Sequence, residues 1–294
     1  MTTGEKIKTL RKKKMMTQSA LVGGEITRNM LSRIENGQAN PSLDTLIYLS
    51  KRLDVPVGYL LASEKEDAAY EKGFLCEQIR LAYQMKNYKI AKQLAAEYGD
   101  EDNEISLIAA ESAFRVAVEE FEEGRLHGAC EAFDEAITLS ENTAYYTEHI
   151  VAGAALYFEY MRGLTPNLYS NIIDENTVEP YCAMNMDFCR YAYALVGVDN
   201  GHTTFAKSFI EASDEDSPIA LHLSARIDMK NGNWRSARTK LSQVLVNKSK
   251  VSRPVLYSVL ADIEIASREI NDFKSAYEYS TEKIWLLEKM LSDE

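Results

Sequence analysis

The sequence predicts an all-α protein in which a small domain of five helices is followed by a right-handed α-solenoid of about six helical hairpins. Apolar residues recur at the 3.6-residue spacing of amphipathic helices, whereas the strict apolar and polar alternation of strands is absent. Each proline stands where a helix can begin, because the first helical turn does not need the amide hydrogen that proline lacks. The six are Pro41, Pro56, Pro166, Pro180, Pro218 and Pro254.

The chain length and composition predict two folded domains. Hydrophobic residues make up 46% of the 294 residues and charged residues 27%, which is the balance of a soluble globular protein. A short charged stretch at residues 62–67 has no large apolar side chain and marks a boundary. We expect a first domain over residues 1–62, a linker over 63–70 and a second domain over 71–294.

Neither a signal peptide nor a membrane span is predicted. The first ten residues are polar and contain lysine, and no stretch reaches the roughly 18 apolar residues that a spanning helix needs. We therefore expect a cytoplasmic protein without a membrane partner.

The net charge of −12 conceals a division of charge along the chain. Residues 1–62 contain ten Lys or Arg and five Asp or Glu, a charge of +5, whereas the remainder has 23 basic and 40 acidic residues, a charge of −17. A basic first domain on an acidic second one is expected when the first meets phosphate and the second does not. The charges favour a nucleic-acid partner for the first domain alone.

The first domain is predicted to contain a helix-turn-helix. Thr17 and Thr27 each precede an apolar helical stretch and can cap that helix with their hydroxyl groups. Gly23 and Gly24 stand between the two stretches and permit a sharp turn. The five predicted helices cover residues 4–13, 17–22, 27–35, 42–53 and 56–61.

Three stretches of the first domain resemble the xenobiotic-response-element (XRE) family of phage-repressor-like helix-turn-helix domains. They are TQSAL at residues 17–21, LSRIENG at 31–37 and NPSLDTL at 40–46. The turn at residues 22–26 is shorter than in most of that family and is similar to the turn of the Rgg and PlcR type. Membership of that group, called RRNPP, implies tetratricopeptide-like repeats after the first domain and a short signalling peptide captured by them.

The resemblance places the third helix in the major groove of DNA, with its first residues and one face a turn later toward the base edges. Arg28, Asn29 and Arg33 occupy these positions, and arginine pairs with guanine as asparagine does with adenine. The alternative that Arg28 and Arg33 are only solvated surface charges stays open. Ser32 is a further candidate contact. The candidates for phosphate contacts, which position the domain without reading sequence, are Gln18, Thr27, Asn36 and the basic run Arg11, Lys12, Lys13 and Lys14.

A recurring pair of residues predicts the hairpins of the second domain. After a short polar turn comes a residue that is usually apolar or aromatic, and an alanine follows three residues later. Successive alanines lie 38, 77, 31 and 39 residues apart, and the interval of 77 is read as two periods with a degenerate unit around Leu168. This period resembles that of tetratricopeptide repeats, with HEAT-like hairpins as the alternative. The pairs are Tyr88 and Ala91, Leu126 and Ala129, Thr203 and Ala206, Trp234 and Ala237, and Phe273 and Ala276.

The first helix of each hairpin is predicted to line a concave wall that binds an extended ligand. Tyrosines crowd this region, and each offers a large apolar body with a hydrogen-bonding tip, although ordinary packing between helices is the alternative. The inner helices are expected within residues 145–160, 181–193, 219–228 and 255–265.

Six residues of these inner segments are candidate peptide contacts. Asn185 and Arg226 are expected near the middle of two inner helices, where they would hold a peptide backbone or carboxylate, and a solvated Arg226 is the alternative. The full set is Tyr146, Tyr157, Tyr181, Asn185, His222 and Arg226.

No enzyme, metal site or cofactor is predicted. The four histidines lack the i, i+4 pairing or nearby cysteine of a metal site, and neither a Ser-His-Asp grouping nor a glycine-rich phosphate loop can be identified. The four cysteines are interpreted as small buried hydrophobic residues, because none has the spacing of paired ligands.

The last predicted helix, residues 277–291, carries Ile284, Trp285 and Leu287 with no further repeat to cover them. It either caps the array or forms a dimer contact. A homodimer is favoured independently, because one helix-turn-helix reads half of a palindromic operator and two linked heads bind more tightly. The expected function is a homodimeric transcription regulator that senses a peptide, of the quorum-sensing type. The alternative is a DNA-binding scaffold whose array binds a cytoplasmic protein.

Overall fold

The computed structural model describes residues 1–99, 102–165 and 183–292. Within these ranges the regular structure is helical and no strand occurs, which confirms the predicted all-α fold class. Pro166, Leu168 and Pro180, used above to predict hairpins, lie outside the described residues. The helices are α1 (Thr3–Lys13), α2 (Gln18–Val22), α3 (Arg28–Glu35), α4 (Leu43–Leu53), α5 (Val57–Leu61), α6 (Glu64–Gln84), α7 (Tyr88–Tyr98), α8 (Asn103–Glu122), α9 (Leu126–Ser140), α10 (Glu148–Leu164), α11 (Asp187–Asp199), α12 (Thr204–Ala212), α13 (Pro218–Lys230), α14 (Trp234–Val246), α15 (Arg253–Glu269) and α16 (Phe273–Ser292), with a 3-10 turn at Lys248–Lys250.

The chain divides into two compact units, Met1–Gln78 and Ile79–Glu294. The division falls inside α6, and residues 64–70 of the expected linker are the first two turns of that helix. Glu and Lys are good helix formers, so a charged stretch that lacks large apolar residues still continues as helix.

The first unit is built from the five predicted helices around one small core. Leu21, Leu31 and Leu49 have no exposed surface, and Ile7 on α1 reaches the same cluster. Helices α1 and α3 cross closely at Gly4, where an added Cβ would lie 2.1 Å from the carbonyl oxygen of Ile34. A side chain at this position would push the two helices apart.

The turn between α2 and α3 depends on Gly23. Its φ of 54° is left-handed, and an added Cβ would lie 2.4 Å from the hydroxyl of Tyr48. Tyr48 donates to the carbonyl of Val22 at 2.8 Å, and Arg52 donates to the carbonyl of Ala20 at 2.6 Å. Two side chains of α4 therefore satisfy the carbonyl groups left open at the end of α2.

A buried lysine joins the start of α6 to the first unit. Lys6 is 1% exposed, and its ammonium group donates to the carbonyls of Tyr59 at 3.0 Å and Ala62 at 2.7 Å and to the carboxylate of Asp67. All three of its hydrogens thus have acceptors. The ring of Tyr59 also meets that of Phe74 edge to face, so the first turns of α6 belong to this core.

From α8 to α10 and from α11 to α16, consecutive helices of the second unit are joined by short turns. Pairs in contact are α8 with α9, α11 with α12, α13 with α14, and α15 with α16. The repeated alanines are all buried, because a methyl group at each helix crossing lets the two axes approach. Ala91, Ala129, Ala206 and Ala237 have no exposed surface and Ala276 has 3%.

The last hairpin packs against earlier helices as well as against its neighbour. Helix α15 contacts α8 and α10, and α16 contacts α9. Leu286 and Met290 of α16 are buried in the cluster that contains Phe133 and Tyr157. Ile284 and Trp285 point away from that cluster and are 53% and 60% exposed. One face of α16 therefore covers the array, and the other is open.

Candidate DNA interface and ligand pocket

Helix α3 presents one polar face. Thr27 has extended backbone angles and its hydroxyl accepts a hydrogen bond from the amide of Met30 at 3.1 Å, which starts the helix at Arg28. Leu31 and Ile34 are buried, so the opposite face is turned outward. At about 100° per residue, the predicted contact residues of this helix and its C-cap span an arc of about 140°. They are Arg28, Asn29, Ser32, Arg33 and Asn36, all exposed except the half-buried Ser32.

Arg28 and Arg33 are open to a partner. Neither guanidinium group makes a hydrogen bond or an ion pair with the part of the chain that the structure describes. The two side chains lie about 1.4 turns apart, at the two edges of the polar arc, and the domain that carries them is basic. The arrangement offers two fork-shaped donors to acceptors in a groove.

Arg11, a candidate phosphate contact in the sequence analysis, is engaged inside the domain. Its guanidinium donates to the two carboxylate oxygens of Glu35 at 2.6 and 2.9 Å and to the carbonyl of Met16 at 2.9 Å. Gln18, another candidate, donates to Glu35 at 2.8 Å. These side chains tie α1, α2 and α3 together, so the geometry gives Arg11 a structural role.

The charge of Glu35 is stabilised within this cluster. Its side chain is 1% exposed, and burial by itself raises the pKa of the carboxyl group. Hydrogen bonds from Arg11 and Gln18 outweigh the burial, and the pKa of Glu35 lies below its ordinary value. The hydrogen bond between Arg11 and Glu35 also raises the pKa of Arg11.

The remaining phosphate candidates lie on the surface. Lys12 and Lys13 are exposed at the end of α1, and Lys14 lies 3.6 Å from the carboxylate of Asp54, which is itself 91% exposed. An ion pair in such an open position is easily exchanged for another anion.

In the second unit, a polar network connects the first helices of neighbouring hairpins. His222 and Arg226 lie four residues apart on α13 and so share a face, as do Ser258 and Asp262 on α15. Tyr160 on α10 and Tyr191 and Asp199 on α11 complete the set.

The network centres on the carboxylate of Asp262. One oxygen accepts from Nε2 of His222 at 2.8 Å and the other from Arg226 at 2.7 Å. Nδ1 of His222 lies 2.5 Å from the hydroxyl of Tyr191, and Arg226 donates at 2.5 Å to Asp199. The hydroxyl of Tyr160 continues the polar strip, 2.7 Å from Ser258, with its ring 6.1 Å from the ring of Tyr191.

The surroundings shift the pKa values of these groups in opposite directions. Burial raises the pKa of Asp262, but the hydrogen bond and charge of His222 and the charge of Arg226 outweigh it, and the pKa lies below its ordinary value. Burial raises the pKa of Tyr160 to about 12 and also raises the pKa of Tyr191 well above its ordinary value. At neutral pH this is a network of neutral tyrosines around an ionised carboxylate.

A cavity of about 270 Å³ opens beside the network. His222, Arg226 and Asp262 line one side together with Tyr160 and Ser258. The rest of the lining contains the carboxylates of Glu159 and Asp199 and is otherwise mainly apolar, formed by Leu156, Gly163, Leu164, Ala192, Leu195, Val196, Tyr257 and Ala261. A few convergent polar groups on an apolar cavity are the usual composition of a ligand site.

The other candidate peptide contacts lie elsewhere. Tyr157 is 3% exposed, and its ring stacks on Phe188 in the core. Tyr146 precedes α10, is 62% exposed and stacks on His149 in the first turn of that helix. The cavity lies at the other end of α10. Tyr181 lies outside the described residues.

The expected position of Asn185 within an inner helix is wrong. Helix α11 begins at Asp187, with Met186 as its N-cap, and Asn185 is exposed in the turn before it. Aspartate is favoured in the first helical turn because of the helix dipole. The observed start at Asp187 lies six residues after the expected one at Tyr181.

Asp262 and Asp199 were not predicted as site residues from the sequence. Asp262 stands between Ala261 and Ile263 in an apolar helical stretch, and a carboxylate in such a place needs a buried partner. That signal was available. Asp199 ends α11 as an ordinary surface residue would, and no pattern in the sequence separates it from the other aspartates.

The described residues contain no group of three or more His, Cys, Asp or Glu side chains placed to hold a metal ion. None of the described helices combines the length and the apolar character needed to cross a membrane.

Comparisons with known proteins agree with the fold of the first unit. Residues 7–60 match the family model of helix-turn-helix domains. No curated protein matches the sequence.

Three similar solved structures are of regulators from the group that the sequence resembles. PlcR of Bacillus thuringiensis, in complex with the peptide PapR7 and DNA, has 15% identity over 97% of this chain and 95% of its own, with a TM-score of 0.31. ComR of S. thermophilus, with DNA and its signalling peptide ComS, has 17% identity over 97% and 99%, with a TM-score of 0.26. The Streptococcus dysgalactiae SHP pheromone receptor Rgg2 has 14% identity over 96% and 98%, with a TM-score of 0.20.

The family match covers the same five helices whose caps, turn glycines and core are described above. On this evidence, residues 7–60 are a helix-turn-helix domain of the XRE type.

Proposed function

We propose that the chain is a transcription regulator that reads a palindromic operator as a homodimer and whose second unit binds a short signalling peptide of the quorum-sensing kind. The observation that carries the peptide part is the cavity beside Arg226 and His222, two residues that the sequence analysis selected independently. The helix-turn-helix domain and its exposed polar face carry the DNA part.

Arg28, Asn29 and Arg33 read bases, and Ser32 and Asn36 extend the same contact. Each bidentate pairing of arginine with guanine or asparagine with adenine contributes about 1 to 3 kcal/mol of discrimination. Thr27, Gln18 and Lys14 position the domain on phosphate, with the hydroxyl of Thr27 already used as the cap of α3. Arg11 acts through Glu35 by holding α1 against α3.

An electrophoretic shift with the Arg28→Ala and Arg33→Ala variants tests base reading. The operator is first obtained by sequencing the fragments that the full chain retains from random DNA. Both variants should lose roughly ten- to a hundredfold in affinity for the operator and much less for unrelated DNA. Lys51→Ala, which removes an exposed charge from α4, is the matched control. Equal losses on both DNAs would show that the arginines only attract phosphate.

A footprint by sequencing of bound DNA tests the sensor. The full chain is incubated with and without a synthetic peptide encoded beside its gene. A palindromic footprint whose occupancy changes with the peptide supports the proposal. A footprint that no such peptide changes keeps the DNA reader and directs the array toward a protein partner.

The open face of α16 is proposed as the dimer contact. Tyr277, Ile284 and Leu291 are spaced by seven residues and are 75%, 53% and 45% exposed, so three apolar side chains stand on one open face of the helix. Ile284→Lys should shift the full chain to a monomer in analytical ultracentrifugation and narrow the gap between operator and half-site affinity. Glu278→Lys, a charge change at an exposed position about 120° around the same helix from Ile284, is the control.

A further inference from the structure

Arg226 donates to two carboxylates, one buried and one exposed. Asp262 is 4% exposed and is also bound by His222, whereas Asp199 is 45% exposed. The second cation near Asp199, Lys230, lies 4.0 Å away and is half exposed. The buried carboxylate is part of the fold, and the exposed one can leave without uncovering a charge in the core.

Asp199 also occupies an unfavourable position. It is the last residue of α11, where the free carbonyl groups of the helix give a partial negative charge. A carboxylate there is repelled by its own helix and is held by Arg226. Its place at the guanidinium can therefore pass to another carboxylate with little change in the rest of the network.

The cavity described above borders this ion pair. Asp199 and Arg226 both line it, and Leu195, Val196 and Tyr257 form apolar wall beside them. A volume of about 270 Å³ has room for one amino-acid residue with an apolar side chain.

We propose that Asp199 holds the place of a ligand carboxylate at Arg226, and that the cavity takes the C-terminal residue of a peptide, with its free carboxylate on Arg226 and its apolar side chain against the wall. This inference rests on the proposed peptide-binding function and adds which end of the peptide is read. Exchange keeps the charge balance of the site, because one carboxylate replaces another. A cationic ligand would have to take Asp199 from Arg226 and leave two positive charges together.

The test uses two small probes and the full chain. N-acetyl-leucine carries a carboxylate and an apolar side chain, and N-acetyl-leucinamide is its neutral twin. Binding is followed by ligand-observed NMR titration against the wild type, Asp199→Asn and Asp187→Asn. Asp187 is at the opposite end of α11 and is 82% exposed, so it offers the same charge change outside the cavity.

The acid is expected to bind the wild type at least roughly tenfold more tightly than the amide, and Asp199→Asn is expected to bind the acid roughly tenfold more tightly than the wild type does. Asp187→Asn should match the wild type. Arg226→Gln should lose the acid, and where its circular dichroism shows unfolding, the double variant Arg226→Gln/Asp262→Asn, which removes both buried charges, replaces it.

Four results would overturn the inference: equal binding of acid and amide, no binding of either probe, no gain in Asp199→Asn, or an equal gain in Asp187→Asn. The proposed function fails separately. A peptide that changes operator occupancy equally well with an amidated C-terminus contradicts this inference alone. Acid-specific binding of the probe without any peptide effect on DNA contradicts the proposed function alone.

Discussion

Each unit of the protein buries a carboxylate against an arginine, and the two pairs differ in whether the arginine also binds a second, exposed carboxylate. In the first unit, Arg11 donates two hydrogen bonds to Glu35, and its third guanidinium nitrogen donates to the backbone carbonyl of Met16. In the second unit, Arg226 binds the buried Asp262 on one side and the exposed Asp199 on the other, beside a cavity. We call the first cluster closed, because the carboxylate that Arg11 binds is buried. We call the second cluster open, because Arg226 also binds an exposed carboxylate beside a cavity.

The comparison shows that a buried ion pair alone does not identify a binding site. Both arginines have carboxylate partners, and both partner carboxyls have a pKa below the ordinary value. What separates them is whether one partner can be replaced from solvent without leaving a charge buried and unpaired.

Glu35 is the carboxylate partner of Arg11 in the closed cluster, so Glu35→Ala should cause the largest loss of stability. It leaves Arg11, whose side chain is 12% exposed, without its carboxylate and should lower the free energy of unfolding of the first unit by about 3 to 5 kcal/mol. Circular dichroism in a denaturant series should show an earlier loss of helix. Both tryptophans, Trp234 and Trp285, lie in the second unit, so their fluorescence transition should stay in place. A fluorescence shift as large as the dichroism shift would contradict independent clusters.

The open cluster should tolerate the equivalent change better. Asp262→Asn removes the buried charge but leaves Arg226 its second carboxylate, and we expect a loss of about 2 to 3 kcal/mol in the second unit. The tryptophan fluorescence transition should move to lower denaturant while operator binding by the first unit is retained. A loss greater than that of Glu35→Ala would reverse the comparison.

The first unit should also be sensitive at its turn. Gly23→Ala puts a side chain at a left-handed φ of 54° and 2.4 Å from the hydroxyl of Tyr48, so the free energy of unfolding should fall by about 1 to 3 kcal/mol. Gly24, whose φ is 105° but where an added Cβ meets nothing within 4 Å, is the control that separates backbone strain from crowding. Equal losses at both positions would assign the effect to the backbone alone.

Acid should weaken the closed cluster through Glu35. Because its pKa in the folded state lies below the ordinary value of 4.5, the ionised group stabilises the fold at neutral pH, and this contribution is lost as the pH falls through the folded-state pKa. Urea unfolding by circular dichroism at pH 7 and below pH 4 should show a smaller acid-induced loss in Glu35→Gln than in the wild type. An identical loss in both would remove Glu35 from the acid response.

The smallest effect on stability is expected at Lys14, whose ion pair with Asp54 is open to solvent. Lys14→Ala should change the free energy of unfolding by less than about 0.5 kcal/mol. Its effect should appear on DNA instead, as a decrease of about one in the slope of log affinity against log salt. An unchanged salt slope would mean that Lys14 does not contact phosphate.

Much of the fold could be predicted from residues close in sequence. Thr17 and Thr27 cap the helices expected of them, because a cap involves amides only two or three residues away. The repeated alanines are buried because each hairpin repeats the same local crossing. The basic charge and XRE motif of the first domain likewise depend on a continuous stretch of chain.

The composition of the candidate sites was decided by tertiary structure. Arg11 looks like its lysine neighbours in sequence, and only the approach of α3 gives it Glu35 as a partner. Tyr157 and Tyr160 are three residues apart, yet one lies in the core and the other beside the cavity.

The sequence by itself determined that this protein is helical, that its first domain is a helix-turn-helix and that hairpins follow it, since periodicity, caps and turns act over a few residues. Only the tertiary structure decided that Arg226 stands between Asp262 and Asp199, 36 and 27 residues away. A charge is structural or available according to the neighbours that packing brings to it, and those neighbours come from distant parts of the chain.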